Sequence, residues 1–583
     1  MYLSISPNKK TGRPYLSIVH KYVDPRTKRQ RTKTIQKVGY LDELKKQYED
    51  PIAYFRAVAT QLTDEQKTAR EITVRINMDE RIELGAINRK NYGHVVFSKI
   101  YHELEIDRFL KNARRHQNFE FNTDSIMRLL TFSRLLYPGS KRAAELGKER
   151  FFDNFRFSLD DVYNALTHFD TISETLQQHL HGKVSELYGR DTSLVYYDVT
   201  NYYFEIDKQD DLRKRGAEKN KRNDPIVQMG LLLDKVGLPI SYRLFPGNTH
   251  DSQTLMPVLT EVKKKFNARR IIVVADKGLN SGDNIAYNTV LGDGYIYSKS
   301  IRGAGEEFKK WVLEEEGYRQ VSDKYKMKSK RVPDAEIKVT TDQPSKRKTK
   351  KPAGGTRKTT ARVEQKWIVY YSKKYADRSK YKREEAIAKA LKMIADPVKY
   401  RKSFDYGAAG YVKNLTIDKE TGELLNVEDE LRLDQDKIAE EEKYDGYYAI
   451  VTSELDDSDE SIIEAYHGLW RIEESFKVTK SVLEARPVFL RLQEHINAHF
   501  LICFIALLIS RIVELRLNRK YTIERIVETL RQVECSHEFQ NYWLFNYIDE
   551  VTEDIKTVFG MDFSKKRMTL QEIKQNLGSA KKR

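Results

Sequence analysis

Leu194-Val-Tyr-Tyr-Asp198 and Ile271-Ile-Val-Val-Ala-Asp276 decide the fold class of this chain. Each is a short run of β-branched and aromatic residues that ends in an aspartate, the pattern of a buried strand whose last residue reaches the edge of a sheet. Between them, Ile226 to Leu233 and Leu238 to Leu244 read as two further strands. Asp234-Lys-Val-Gly237 joins them with a hairpin-turn composition. Residues 251–266 read as an amphipathic helix. The order β-β-β-α-β begins as an antiparallel meander and crosses into a parallel pair, so the predicted sheet is mixed and helices cover its faces. Sites in open α/β sheets lie at the carboxyl ends of strands. Asp198 and Asp276 are therefore candidate site residues, although an aspartate that ends a strand is more often a turn former.

A third carboxylate stands out further along. Ile462, Tyr466, Leu469, Trp470, Phe476 and Leu483 form an apolar stripe with helical spacing. Glu473 falls inside it, seven residues after Tyr466 and seven before Lys480. Seven residues are nearly two turns, so the three are predicted to point the same way. A carboxylate facing a core must be paired, protonated or bound to metal, because burying it alone is costly. An ion pair with Arg471 or Lys477 is one solution. The other is an oxygen-ligand cage for Mg²⁺ or Mn²⁺ built from three converging acids. Two such ions roughly 4 Å apart can activate water and stabilise a leaving phosphodiester oxygen.

The chain has 583 residues, 103 Lys+Arg against 86 Asp+Glu, and a net charge of +17. Its length calls for several domains, and 40% hydrophobic residues exclude a mostly disordered chain. Cys503 and Cys535 are the only cysteines, too few for a disulfide framework or a Cys-rich zinc module. The basic excess favours nucleic acid as partner over a membrane surface. The start lacks the layout of a signal peptide, and Phe500 to Ser510 is too short to span a bilayer and reads as a buried helix. A soluble protein of a reducing compartment is expected.

Residues 1–85 read as a basic, β-rich region, with seven Lys/Arg between Lys21 and Lys37 around a turn at Asp24-Pro25-Arg26. Residues 86–190 read as a helical DNA-binding domain. In it, Thr123 or Asp124 caps a helix that Pro138-Gly139 stops, Ser140 starts another, and Ser158-Leu-Asp-Asp161 resembles a capping box. Short helices joined by tight turns suit a helix-turn-helix-like reader with Lys141 and Arg142 near phosphates; many helical bundles look the same. The sheet core is expected over 191–299 and again over 456–520. A β-rich insertion over 300–455 separates the two parts, and a helical tail occupies 521–583. Pro344 to Arg362 holds eight basic residues and no acid, which reads as a mobile basic loop.

Asp198-Val-Thr-Asn-Tyr-Tyr-Phe-Glu205, Phe245-Pro-Gly-Asn-Thr-His-Asp251 and Ala275-Asp-Lys-Gly278 resemble the first two acid blocks of bacterial insertion-sequence DDE transposases. Tyr466-His-Gly-Leu-Trp-Arg-Ile-Glu-Glu-Ser-Phe-Lys-Val-Thr-Lys480 resembles the third. It is similar to the Tyr-x2-Arg-x3-Glu-x6-Lys signature of the subgroup with a β-rich insertion before its glutamate, except that Leu469 holds the arginine position. The resemblance implies an RNase H-like core, with Asp198, Asp276 and Glu473 as ligands of two Mg²⁺ or Mn²⁺ ions. Tyr466 and Lys480 would contact the phosphate backbone, with Arg471 a possible stand-in for the missing arginine. It also implies cleavage of double-stranded DNA at transposon ends, strand transfer into target DNA, and a homodimer in the DNA complex. A nuclease without strand transfer and a non-catalytic relic are the competing readings; three intact acids count against the relic.

His495 and His499 have the i, i+4 spacing of a zinc pair but lack the adjacent Glu of a metalloprotease helix, so both are expected to pack or hydrogen-bond. Cys503 is expected to be inert in an apolar helix.

Overall fold

The computed structural model describes residues 1–8, 11–23, 29–68, 79, 81–115, 117–216, 224–266, 269–342, 356–396, 406–413, 416–417, 424–426 and 431–582. They form two units, Met1–Ala86 and Ile87–Arg583.

The first unit is a three-stranded antiparallel sheet, Tyr2–Pro7, Pro14–Val23 and Gln30–Tyr40, in chain order. Alternation along the middle strand buries Leu16 and Ile18, and Leu16 packs with Leu44 and with Phe55 of the helix Pro51–Thr68. Arg31, Lys33 and Lys37 are exposed on the last strand. The region is β-rich, as its sequence predicts; the Asp24-Pro25-Arg26 turn lies outside the described residues.

The second unit is built on a nine-stranded sheet. Its five core strands, across the sheet, are Pro239–Pro246, Ile226–Asp234, Leu194–Tyr203, Ile272–Ala275 and Gly294–Lys299, which in chain order is 3-2-1-4-5. The first three pair antiparallel and the last two join in parallel. This is the mixed α/β, RNase H-like core that the resemblance implies. Val195, Tyr197 and Val199 pack on one face with the helices Leu255–Phe266 and Gly282–Val290. Tyr196 and Tyr202 pack on the other, beneath the helix Gln493–Arg516. That 24-residue helix is apolar and long enough to cross a membrane, yet 94% of its apolar window is buried inside the fold. It is the buried helix expected around Phe500 to Ser510.

The hairpin turn after Ile226–Asp234 is held by Asp234. Its Oδ1 accepts from the backbone N–H groups of Val236 at 3.1 Å and Leu238 at 2.8 Å. Its Oδ2 lies 3.4 Å from Arg190 Nε, and both side chains are fully buried. Burial outweighs the pairing for both: it pushes the Asp234 carboxyl up and brings Arg190 down to about 10.

The insertion is β-rich, as its sequence predicts, and its strands continue the core sheet: Tyr447–Thr452 pairs with Gly294–Lys299, followed by Thr356–Ser372, Tyr325–Asp342 and Arg319–Ser322. A sheet edge offers unpaired backbone groups to whatever strand comes next. The insertion also carries a 23-residue helix, Lys373–Ala395, too polar to show a clear apolar stripe. Of the proposed basic loop, Arg357, Lys358 and Arg362 lie in the strand Thr356–Ser372, paired with Thr341, Thr340 and Glu336. Residues 343–355 lie outside the described residues.

The helical region also differs. Asn122 caps the helix Thr123–Leu136, accepting from Asp124 and Ser125 N–H, where Thr123 or Asp124 was the expected cap. Ser158 and Asp161 do form a capping box. Most of Thr123–Leu136 is buried; the helix after it, Lys141–Leu146, has six residues, of which Lys141 alone is buried. The tail is not purely helical: Glu534–Phe539, Tyr542–Phe545 and Arg567–Thr569 form a sheet with Arg89–Asn91. Strands this short leave no clear alternation to read.

Asp234→Ala should cost about 3–5 kcal/mol, because it strands Arg190 as a buried charge and frees the turn. Asp234→Asn, which keeps an acceptor for the turn, should lose less. Equilibrium denaturant unfolding of both variants checks the order.

Candidate active site

The site is set by the parallel pairing of two strands. Leu194, Val195 and Tyr196 stand opposite Ile272, Val273 and Val274. Two residues further along that register, Asp198 is level with Asp276. Neighbouring strands are about 4.8 Å apart, so the two carboxylates stand side by side; Asp276 follows the end of its strand as predicted, whereas Asp198 lies inside Leu194–Tyr203, which runs five residues past it. Alternation turns Asp198 to the face of Tyr196 and Tyr202.

Two hydroxyls hold Asp276. Ser298 Oγ donates to its Oδ1 at 2.8 Å, and Tyr466 Oη donates to the same oxygen at 3.4 Å. Ser298 ends up there because Tyr297 pairs with Ala275, the residue before the aspartate. The Tyr466 phenol is pushed far up by burial and, less, by Asp276, so it remains a donor. Tyr466 is 7% exposed. Its position supports the Asp276 carboxylate, a role the sequence reading did not assign.

Glu473 comes from the helical run over the sheet. Asp459–His467 is followed by a turn at Gly468 and Leu469, the helix Trp470–Lys477, and a π-helical turn Val478–Val482. Ile472 and Phe476 are buried against the sheet, and Arg511 of the long helix clamps the run through Glu474 at 3.2 Å and Ser475 Oγ at 3.0 Å. Glu473 itself is exposed. This corrects the reading of it as a core-facing carboxylate: the stripe holds for Ile462, Tyr466, Leu469, Phe476 and Leu483, but Trp470 is half exposed and Glu473 stands on the open side of its helix. Tyr448, from the insertion, bridges the gap in space. Burial raises its phenol first, and the charges of Asp276 and Glu473 both add to the rise.

Lys480 lies on the π-turn, and its Nζ donates to Thr200 Oγ1, two residues beyond Asp198 on the same face. It also sits 5.5 Å from the centre of the Tyr202 ring. π-Turns recur at functional sites, where the extra residue re-aims a side chain. Arg471 goes the other way. Its guanidinium lies 5.7 Å from the Tyr196 ring and 5.3 Å from that of Trp470. Tyr196 precedes Asp198, so Arg471 and Lys480 lie on opposite sides of it along the strand. Leu469, at the signature's arginine position, is buried in the core.

A 140 Å³ cavity opens beside Asp276, lined by Ser298, Lys299, Tyr447 and Tyr448 among others. Sequence reasoning missed Ser298 and Tyr448; the one available signal for Ser298 was a strand ending level with the Asp276 strand. Lys141 is buried against His499, whereas Arg142 is exposed. His495 stacks on Tyr163 and His499 bonds Lys141, so the pair shares no ligand. Among the described residues, no three His, Cys, Asp or Glu side chains lie close enough together to hold a metal ion.

The model of the transposase DDE domain matches residues 203–509, more than half of the chain. The chain belongs to this family. The match includes Asp276 and Glu473 and starts five residues after Asp198. A second model, the IS1634 family transposase N-terminal domain, matches residues 3–71, within the first unit. Together they make the chain a bacterial insertion-sequence DDE transposase. A comparison with curated proteins finds no match. Among solved structures, a piggyBac transposase synaptic complex with hairpin DNA is similar at 8% identity and a TM-score of 0.34, over 84% of this chain and 84% of that one. A Mos1 transposase paired-end complex with the left transposon end is similar at 11% identity and a TM-score of 0.13, over 42% of this chain and 67% of that one. Likenesses this distant bear no weight on the site.

The close approach of the helical run to the sheet depends on Gly468. A Cβ there would lie 1.9 Å from Tyr196 Oη. Gly468→Ala should destabilise the protein by about 2 kcal/mol, in the range for overpacking, and lower DNA cleavage more than the unfolded fraction explains. Tyr196→Leu in the same chain should recover part of both, measured as melting temperature and nicking on one preparation.

Proposed function

We propose that Asp198, Asp276 and Glu473 are the catalytic carboxylates of this transposase, that they bind divalent metal, and that they cut double-stranded DNA at the ends of an insertion sequence before joining it to target DNA. The observation that carries this reading is the register of Leu194–Tyr196 with Ile272–Val274, which, continued two residues, levels Asp198 with Asp276. Hard oxygen donors suit Mg²⁺ or Mn²⁺, and the carboxylates, with Ser298 beside Asp276, supply that chemistry. Glu473, exposed on its helix, completes the set when its side chain turns toward the strands. The metal, when bound, would activate water and offset charge on the leaving oxygen.

The chain's own groups do the rest. Ser298 and Tyr466 orient Asp276. Lys480, anchored to Thr200 beside Asp198, offers a point charge to a phosphate near the cut. Arg142, exposed, and the basic strand of the first unit add phosphate contacts. Arg471, directed to Tyr196, braces the helix instead of reaching DNA, so the Tyr-x2-Arg-x3-Glu-x6-Lys pattern operates here without its arginine. Since an element has two ends, a homodimer on paired ends is the assembly we propose.

Glu473→Gln should leave end binding and melting temperature nearly unchanged while Mg²⁺-dependent nicking falls by several orders of magnitude. Asp198→Asn and Asp276→Asn should do the same, and combining any two should add little, because the three act as one unit. Near-full nicking by well-folded Glu473→Gln would remove Glu473 from the site.

Affinity for end DNA should fall steeply with salt, with a log–log slope of about −0.9 for each phosphate neutralised. A titration with a flat slope would contradict a DNA interface built on the +17 excess.

A further inference from the structure

The segment 484–490 leads from the π-turn toward the helix Gln493–Arg516 and closes over a second cavity, of 130 Å³. Arg134, Lys141, Glu484, Arg486, Phe489 and His499 line it, among others. Lys141 is 5% exposed, and its Nζ lies 3.3 Å from His499 Nδ1. His499 Nε2 lies 3.1 Å from the Ala485 carbonyl, so Nε2 carries the proton and Nδ1 accepts from the lysine. Arg134, also 5% exposed, donates to the carbonyls of Leu483, Glu484 and Gly139, and its Nε has no partner. Arg486 stands 5.5 Å from the centre of the Tyr203 ring.

Three cations thus converge on one small cavity, and among the described residues none of them has a carboxylate at ion-pair distance. Glu484, exposed, is the acid in the lining. Burying cations without counter-charge is costly. Burial first, and Arg134 second, bring Lys141 down to about 7. Burial, then Lys141 and Arg134, hold His499 far below its ordinary range and so neutral. Burial raises the Cys503 thiol, 3.8 Å from His499 Nε2, which keeps it uncharged. The charged groups facing Lys141 are therefore Arg134 within the cavity, and Arg486 and Glu484 in its lining.

We propose that this cavity is an anion site that takes a phosphate group, either free or in a DNA strand, with Lys141 as its charge partner. The anion supplies the counter-charge that the fold withholds, and its arrival moves one proton from solvent onto the Lys141 amine. The position suits a strand phosphate. Lys480 at Thr200 and Arg486 at Tyr203 mark successive points along the Asp198 strand, and Arg486 opens into the cavity. A DNA strand leaving the carboxylates would meet Lys480, then Arg486, then Lys141. That last statement rests on the transposase reading; binding of a free anion does not.

The test is calorimetry with sulfate and inorganic phosphate at constant ionic strength and without divalent metal, on the full chain. Wild type should bind sulfate with heats that differ between buffers of different ionisation enthalpy, because a proton is taken up. Affinity should be full below about pH 7 and fall about tenfold per unit above it, as Lys141 loses its proton. Lys141→Met, which fills the space without the charge, should keep or raise the melting temperature and lose at least tenfold in sulfate affinity. Should that variant misfold, Arg486→Gln in the lining should weaken sulfate binding several-fold at an unchanged melting temperature. No sulfate heat from wild type, or an affinity flat across pH 7, overturns the proposal. Competition of sulfate with end DNA, together with weaker DNA binding by Lys141→Met, assigns the site to a strand phosphate; sulfate binding with unaltered DNA affinity assigns it to free phosphate. Glu473→Gln should bind sulfate as wild type does, so loss of its nicking tests the catalytic reading separately.

Discussion

The parallel ladder between Leu194–Tyr203 and Ile272–Ala275 is the constraint on which the site depends. Its register levels Asp198 with Asp276, and a slip of one residue would turn one of the two to the opposite face of the sheet. Carboxylates at strand spacing repel one another, so the arrangement calls for counter-charge beside them. The surrounding structure fixes where they stand. The antiparallel strand Ile226–Asp234, buried along its whole length, anchors one side of the Asp198 strand. The strand Gly294–Lys299 brings Ser298 to Asp276 on the other. Gly468 then lets the helical run settle onto Tyr196, which places Tyr466 over Asp276 and Glu473 on the open side.

The insertion takes part in the same construction. By pairing Tyr447–Thr452 with Gly294–Lys299 it extends the sheet past the core and carries Tyr448 to within electrostatic reach of both Asp276 and Glu473. One face of the added strands is basic and aromatic together. Lys330 lies 4.9 Å and 5.0 Å from the rings of Trp311 and Trp367, and Lys328 lies 4.3 Å from that of Tyr318. Such contacts hold lysine stems against aromatic faces and keep the charge close to the sheet. Burial lowers the Lys299 amine, beside Phe308 and Trp367 in the same cluster. The wall of the cleft is thus made by sequence that interrupts the core, and the chain returns to the core only at the helical run that carries Glu473.

Positive charge in this protein takes two forms with different physics. Exposed lysines and arginines, such as Lys33, Lys37 and Arg142, are screened by salt and act as a diffuse field. Lys141 and Arg134 are buried, and their influence is local and little screened. Sequence composition counts both equally toward +17. Burial separates them: Arg134 spends its donors on three carbonyls, and Lys141 gives up much of its charge near neutrality.

Period and punctuation were enough to find the core strands, the Asp234–Gly237 turn, the Ser158 capping box and the buried helix around Phe500 to Ser510, because each is a local pattern with a local cause. The position of Asp276 at the end of its strand belongs to the same class; Asp198 does not, because its strand runs on to Tyr203, and Tyr466, Glu473 and Lys480 fall on three successive elements instead of one helix face. What the sequence did not contain was the partner of each element. Whether the insertion strands stood apart or joined the core was decided by the unpaired edge of Gly294–Lys299, which lies far from them in the chain. The burial of Lys141 was decided by helix Gln493–Arg516, which brings His499 to it from 358 residues away. The exposure of Glu473 and the turn of Arg471 toward Tyr196 were decided by how the helical run lies across the sheet. Periodicity reports which residues share a side of an element; only the packed neighbour determines whether that side is covered, and long-range contacts choose the neighbour.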